Sequence, residues 1–196
     1  AGYVASPGEY TLTASASAVL IIETEPADLT ALVGTGTAFT VSAASTLPVG
    51  YQWYKNGLAV PGGSSSSLTL ANVQPADAGD YYAVVTNALG SAQSRIAILT
   101  VLVPPSVVTQ PQSQTIALGD PVEFSVEATG TEPLNYQWQL DGLSIQGATN
   151  ATLVIPALNA ADAGNYTVVV SNAAGSVSSD LATLSVWDRP MITEQP

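Results

Sequence analysis

The chain contains no cysteine and no histidine. Without thiols neither a disulfide nor a thiolate metal site can form, and the redox compartment cannot be read from cysteine pairing. Without imidazole the commonest general base and metal ligand is missing. Cations are nearly as scarce: Lys55, Arg95 and Arg189 stand against 15 acidic residues, for a net charge of −12. Such a chain repels a phosphate backbone, so nucleic acid is not an expected partner. Charged residues make up 9% of the sequence, against roughly 25% in an average domain. Ser, Thr, Ala, Gly and Asn supply the polar surface instead, a composition that suits a protein outside the cell or on its surface better than a cytosolic enzyme. No apolar run approaches the ~20 residues needed to cross a bilayer, so no membrane insertion is expected of this segment. Residues 1–20 lack the basic start of a secretory signal, and the chain reads as a mature piece or an excised segment.

What is present is a repeat. Trp53 recurs as Trp138, Tyr81 as Tyr166, Asp77 as Asp162 and Gly90 as Gly175, each 85 positions on. Pro26/Pro111, Gly34/Gly119, Phe39/Phe124, Pro48/Pro133, Gly57/Gly142, Asn87/Asn172 and Val101/Val186 keep the same offset. One folding unit is therefore used twice, with no insertion between the copies. Short runs rich in Val, Ile, Leu, Thr and Tyr, bounded by Gly, Pro, Asn and Asp, predict an all-β chain. Val122, Phe124, Val126 and Ala128 alternate with Glu123, Ser125 and Glu127, one dry face and one wet. Asn56-Gly57 and Asp141-Gly142 predict tight hairpins. Pro75 to Gly79 and Ala160 to Gly164 predict a single helical turn capped by Asp77 or Asp162. About seven strands per repeat follow, which is the count of a two-sheet sandwich.

The set Phe39-Thr-Val41, Trp53, Asp77-Ala-Gly-Asp-Tyr81-Tyr-Ala83, Asn87 and Gly90 resembles an I-set immunoglobulin domain. The second copy matches at Phe124, Trp138, Asp162, Gly164, Tyr166, Asn172 and Gly175, and the resemblance covers roughly residues 20–188. It implies two immunoglobulin-like β-sandwiches, over 19–103 and 104–188, joined end to end by a short proline-containing linker. Residues 1–18 read as the remnant of a preceding repeat and 189–196 as the start of a further one. In that family two cysteines face the tryptophan and join the sheets; here those positions are Val41 and Ala83, and Val126 and Val168. Closing a loop of ~40 residues contributes about 4 kcal/mol, whereas a buried Val returns about 2 kcal/mol. Cysteine-free repeats of this kind resemble the tandem modules of large bacterial surface and secreted proteins. In many family members the Asp at positions 77 and 162 pairs with an Arg of a neighbouring strand. Neither repeat has an Arg or Lys at a plausible position, which leaves the carboxylate to accept N–H groups of its own turn.

The core set is thus Val41, Trp53, Tyr81 and Ala83, with Val126, Trp138, Tyr166 and Val168, and the turn caps are Asp77 and Asp162. Trp187, after the last strand, is expected to pack between domains. No catalytic residue emerges. Asp77 and Asp162 lie in different domains, whereas a glycosidase needs its carboxylates roughly 5 to 10 Å apart. A serine nucleophile would have only Lys55 beside it as a base. Calcium needs only oxygen ligands, but Glu132, Asp180 and Asp188 lack the spacing of a dedicated loop, so no metal or cofactor is expected. Asn150-Ala-Thr152 and Asn165-Tyr-Thr167 match the N-glycosylation pattern, in a composition rich enough in Asn and Thr for chance matches. The reading is a non-catalytic extracellular spacer or adhesion stalk whose partners are neighbouring immunoglobulin-like repeats or subunits, with a surface protein or glycan as ligand. The alternatives are a carbohydrate- or protein-binding module acting through Pro48 to Gly50 and Gly62 to Ser67, and a filament subunit joined head to tail by strand complementation.

Overall fold

A computed structural model describes residues 20–190. The tail remnant and filament readings depend on residues 1–19 and 191–196, which lie outside the described residues. In the first repeat the strands are β1 (Ile21–Thr24), β2 (Leu29–Leu32), β3 (Thr37–Thr40), β4 (Ser42–Ala44), β5 (Gly50–Lys55), β6 (Leu58–Ala59), β7 (Ser67–Leu70), β8 (Gly79–Asn87), β9 (Gly90–Gln93) and β10 (Ala97–Leu102). In the second they are β11 (Ser106–Thr109), β12 (Gln114–Ala117), β13 (Val122–Ser125), β14 (Glu127–Thr129), β15 (Asn135–Leu140), β16 (Leu143–Ser144), β17 (Thr152–Ile155), β18 (Gly164–Asn172), β19 (Gly175–Ser178) and β20 (Ala182–Trp187). Every strand begins and ends 85 positions after its counterpart.

Each repeat thus has ten hydrogen-bonded segments, not seven, because three strands are interrupted. Buried Pro26 and Pro111 break the first strand where the missing N–H ends one ladder and lets the chain cross to the other sheet. The second break falls at Val41 and Val126, and the last at Ser94 and Ser179. Joined across these interruptions the segments are seven strands.

The larger sheet of the first domain runs β2-β10-β8-β5-β6, with β9 on β8; the opposing layer consists of β1 with β4 and β3 with β7. The second domain repeats this order as β12-β20-β18-β15-β16, with β11-β14 and β13-β17 opposite. There β12 lies parallel to β20, Gln114 to Ala117 facing Leu184 to Trp187. The core sits between the layers because alternate residues of each strand point inward. In β8 the buried residues are Tyr81, Ala83 and Val85, and in β18 Tyr166, Val168 and Val170.

The hairpin between β5 and β6 needs positive φ at both central residues, which Asn56 (49°) and Gly57 (82°) supply, as do Asp141 (48°) and Gly142 (81°). The same side chains then reach the start of the next long strand. Asn56 Oδ1 accepts the Asp80 N–H at 2.9 Å, and Asp141 Oδ1 accepts that of Asn165 at 2.9 Å.

Candidate functional site

Strands β5 and β8 lie side by side, so Trp53 stands opposite Ala83, and in β15 and β18 Trp138 stands opposite Val168. Both indoles are 0% exposed, and Val41, Ala83, Val126 and Val168 are all buried. Burying an indole requires a partner for its N–H. Trp53 Nε1 donates to Ser65 O and Trp138 Nε1 to Asn150 O, each at 2.9 Å. Phe39 stacks on Tyr81 and Phe124 on Tyr166 with centroids 4.7 Å apart in both domains. These aromatics are enclosed in the two cores.

The 3-10 turns Pro75–Asp77 and Ala160–Asp162 carry the two aspartates. Asp77 Oδ2 accepts the Gln74 N–H at 2.8 Å, and Asp162 Oδ2 accepts the Asn159 N–H at 2.8 Å. An N–H that would otherwise be orphaned at the turn's entry is thereby satisfied. Tyr166 then donates its hydroxyl to Asp162 O at 2.7 Å. Burial, with the Asp162 and Asp141 carboxylates adding to it, pushes the Tyr166 phenol up to about 12. The group holds its proton and is an anchor of the strand corner, not a base.

The residues that sequence reasoning missed are Ser94 and Ser179, the two buried polar side chains among the described residues. Each sits where the last strand breaks. Ser94 Oγ accepts the Ala83 N–H at 2.9 Å and donates to Arg95 O at 2.9 Å; Ser179 Oγ accepts the Val168 N–H at 3.0 Å and donates to Asp180 O at 2.9 Å. The hydroxyl replaces the ladder partner that the break removes, beside the residue that faces the tryptophan. The only available signal was that a serine recurs there at the repeat offset.

Among the described residues no group of three His, Cys, Asp or Glu side chains could hold a metal ion. Glu132 accepts the Leu134 N–H at 2.9 Å, while the Asp180 N–H donates to Gln110 at 2.9 Å. Asn150 and Asn165 are exposed, and Asn165 Oδ1 accepts from Thr183 Oγ1 at 3.0 Å. Trp187 ends β20 and is 46% exposed. An open apolar groove of about 410 Å³ lies in the second domain beside Leu140, Ile145, Leu153, Ile155 and Tyr166; Lys55 occupies the place of Leu140 in the first.

Among the described residues one stacked aromatic pair faces outward. Tyr54 of β5 stands opposite Tyr82 of β8 on the outer face of the first domain's larger sheet, both half-buried. Their rings are stacked with centroids 5.0 Å apart and planes 4° from parallel. The same places in the second domain are Gln139 and Thr167, which face each other across β15 and β18.

A family model described as immunoglobulin domain matches residues 21–87 and 104–172. Over 93% of its length the chain is 32% identical to a frog (Xenopus laevis) protein, cell adhesion molecule-related/down-regulated by oncogenes, of which it covers 15%. Over 66% of its length it is 33% identical to human (Homo sapiens) Roundabout homolog 1, of which it covers 8%. Among solved structures a fragment of three titin immunoglobulin domains superposes with a TM-score of 0.75 at 25% identity, over 92% of this chain and 70% of that one. The chain therefore spans a small part of the relatives it matches. Those relatives are animal proteins, and the bacterial origin expected from the missing cysteines finds no support in them. Filling the two positions beside the tryptophan with aliphatic side chains is a packing solution, open to a protein of any source.

Proposed function

Because the chain belongs to the immunoglobulin-domain family, we propose that it is a non-catalytic extracellular spacer or adhesion-stalk module, built of domains over 19–103 and 104–188. The observation that carries this reading is the placing of an early strand beside the last one. In the second domain β12 and β20 run parallel over four residue pairs, and in the first β2 lies next to β10. Force applied to the two ends of such a domain pulls these strands past each other, so their hydrogen bonds are loaded together in shear and do not open one at a time. The adhesion half of the reading draws on the frog relative's name and is extended here to this chain.

The test is to stretch the whole chain between its ends in a single-molecule force experiment. Two separate unfolding events are expected, each releasing ~300 Å of contour length, from 85 residues at ~3.6 Å each. A single event of twice that length, or gradual extension without a force peak, would overturn the spacer reading.

A second reading has its own support. The outward, half-buried Tyr54 and Tyr82 pair favours recognition by the first domain, since the second domain keeps the same strand register with Gln139 and Thr167 in their place. Under that reading the first domain binds and the second extends.

A further inference from the structure

We propose that the outer sheet face of the first domain, centred on Tyr54 and Tyr82, docks a cationic protein segment, with arginine side chains stacked on the ring pair beside Asp80. This rests on the recognition reading and names its partner's chemistry. The two domains share every strand boundary, so what differs between them at equivalent outward positions was not forced by the fold. Across four adjacent strands the first domain shows Ala59, Tyr54, Tyr82 and Ile98, and the second shows Ser144, Gln139, Thr167 and Thr183. Ile98 is 50% exposed between buried Ala97 and Leu99, which fixes it on the outer face. In the second domain the polar groups satisfy one another: Thr167 Oγ1 donates to Gln139 Oε1 at 3.4 Å and Thr183 Oγ1 to Asn165 Oδ1 at 3.0 Å. In the first, neither tyrosine hydroxyl bonds another described residue.

Charge chooses the occupant. The chain carries −12, and Asp80, exposed and two residues before Tyr82 on β8, lies on the same face of the strand. Each cation already has a partner, and Arg95 lies at the edge of this face, since the Asp28 Oδ1 it bonds also accepts the Ile98 N–H at 3.1 Å. Arg95 pairs with Asp28, Arg189 pairs with Asp120, and Lys55 sits 5.9 Å over the ring of buried Tyr81 on the inner side. A second copy of this chain would bring the same negative charge, and an anionic polymer would be repelled, whereas a guanidinium finds aromatic rings, their two hydroxyls and a carboxylate. Asp80 is replaced by Asn165 in the second domain, so the carboxylate goes with the rings.

The experiment titrates the full chain, isotope-labelled, with hexa-arginine, hexa-lysine and an uncharged Gly-Ser hexamer at low salt, and follows backbone amide shifts. A parallel titration uses Y54Q/Y82T, which takes the second domain's own residues and keeps the net charge. The expected result is that shifts centre on β5 and β8, that arginine binds more tightly than lysine, and that the double variant weakens hexa-arginine at least ~10-fold. Equal affinity of wild type and variant, or shifts spread over both domains, would show attraction to net charge alone and overturn the proposal. Shifts at the tyrosines caused by maltohexaose but not by hexa-arginine would overturn the cationic partner and keep the recognition reading. Silence from every probe at these residues would overturn both, and the force experiment reads the spacer reading independently.

Discussion

Ala83→Val tests how the first domain encloses its tryptophan without a cross-sheet disulfide. The second domain is the control, because Val168 stands at the same position and both residues are fully buried. The smaller side chain has not drawn the rings inward: Phe39 and Trp53 centroids are 5.9 Å apart against 6.1 Å for Phe124 and Trp138. The stack of Phe39 on Tyr81 matches its counterpart at 4.7 Å. The adjustment lies on another side of the indole, at Gly63, where the second domain has Ala148. A Cβ on Gly63 would lie 3.0 Å from Trp53 Cβ. The hydrogen bond from Trp53 N to Gly63 O is 2.7 Å, against 3.0 Å from Trp138 N to Ala148 O. The loop approaches Trp53 more closely there than its counterpart approaches Trp138. Two added methyls are worth up to ~1.6 kcal/mol at about 0.8 per buried carbon, so Ala83→Val should leave the first domain unchanged or stabilise it by up to that amount. Val168→Ala should lose about 2–3 kcal/mol, the transfer term plus an unrelaxed cavity. Urea unfolding of the full chain, read separately at the indole N–H resonances of Trp53 and Trp138, assigns each change to its domain. A loss above about 2 kcal/mol in Ala83→Val would refute the reasoning, because it would mean the site is already full.

Ser179→Ala should destabilise the second domain by about 1–3 kcal/mol, since it leaves the buried Val168 N–H without its acceptor; thermal unfolding that matches wild type would show that the broken strand heals itself. Gly79→Ala should cost about 2 kcal/mol or more, because φ is 145° and the new methyl would lie 2.5 Å from Asn56 Oδ1. The same calorimetric scan on G79A/N56G should recover part of that loss. For Tyr166 the folded phenol is held at about 12, above its ordinary value of 10.0, so the folded state keeps a proton that the unfolded state gives up. Its contribution to stability is complete below pH 10 and is lost as pH rises from 10 to 12. Denaturation midpoints measured across that window should fall more steeply for wild type than for Tyr166→Phe, and identical slopes would sink the assignment.

The strands, hairpins and cores were legible because each is signalled by residues whose chemistry permits little else. Asn56-Gly57 and Asp141-Gly142 adopt positive φ cheaply, Pro26 and Pro111 cannot continue a ladder, and alternation around Phe39 and Phe124 separates wet from dry. The breaks at Ser94 and Ser179 were not legible, since a serine among many serines gives no sign that its hydroxyl stands in for a backbone partner. The sheet-switching proline was visible as a residue, but its effect of dividing one strand between two layers depends on what each half finds to pair with. Trp53 and Trp138 were readable as core through the resemblance to an immunoglobulin domain. Tyr54 and Tyr82 carry no such signal, because a repeat marks only the residues that both copies share.

That asymmetry bears on where binding can reside. Inward positions of the two domains are constrained by packing, so their rings sit within 0.2 Å of the same separations. Outward positions answer only to solvent and to neighbours across the strand, and there the copies diverge from ring to amide and from isoleucine to threonine. A stacked pair across two strands could be there for the sheet itself, because such a pair contributes about 0.5–1.5 kcal/mol. The second domain weakens that explanation: its β15 and β18 keep the same register with Gln139 and Thr167. Were the tyrosines present for stability alone, Y54Q/Y82T should lower the first domain's unfolding free energy by that full amount and change no affinity. If the sheet instead tolerates the exchange as its neighbour does, the rings are left with recognition as the property that distinguishes them.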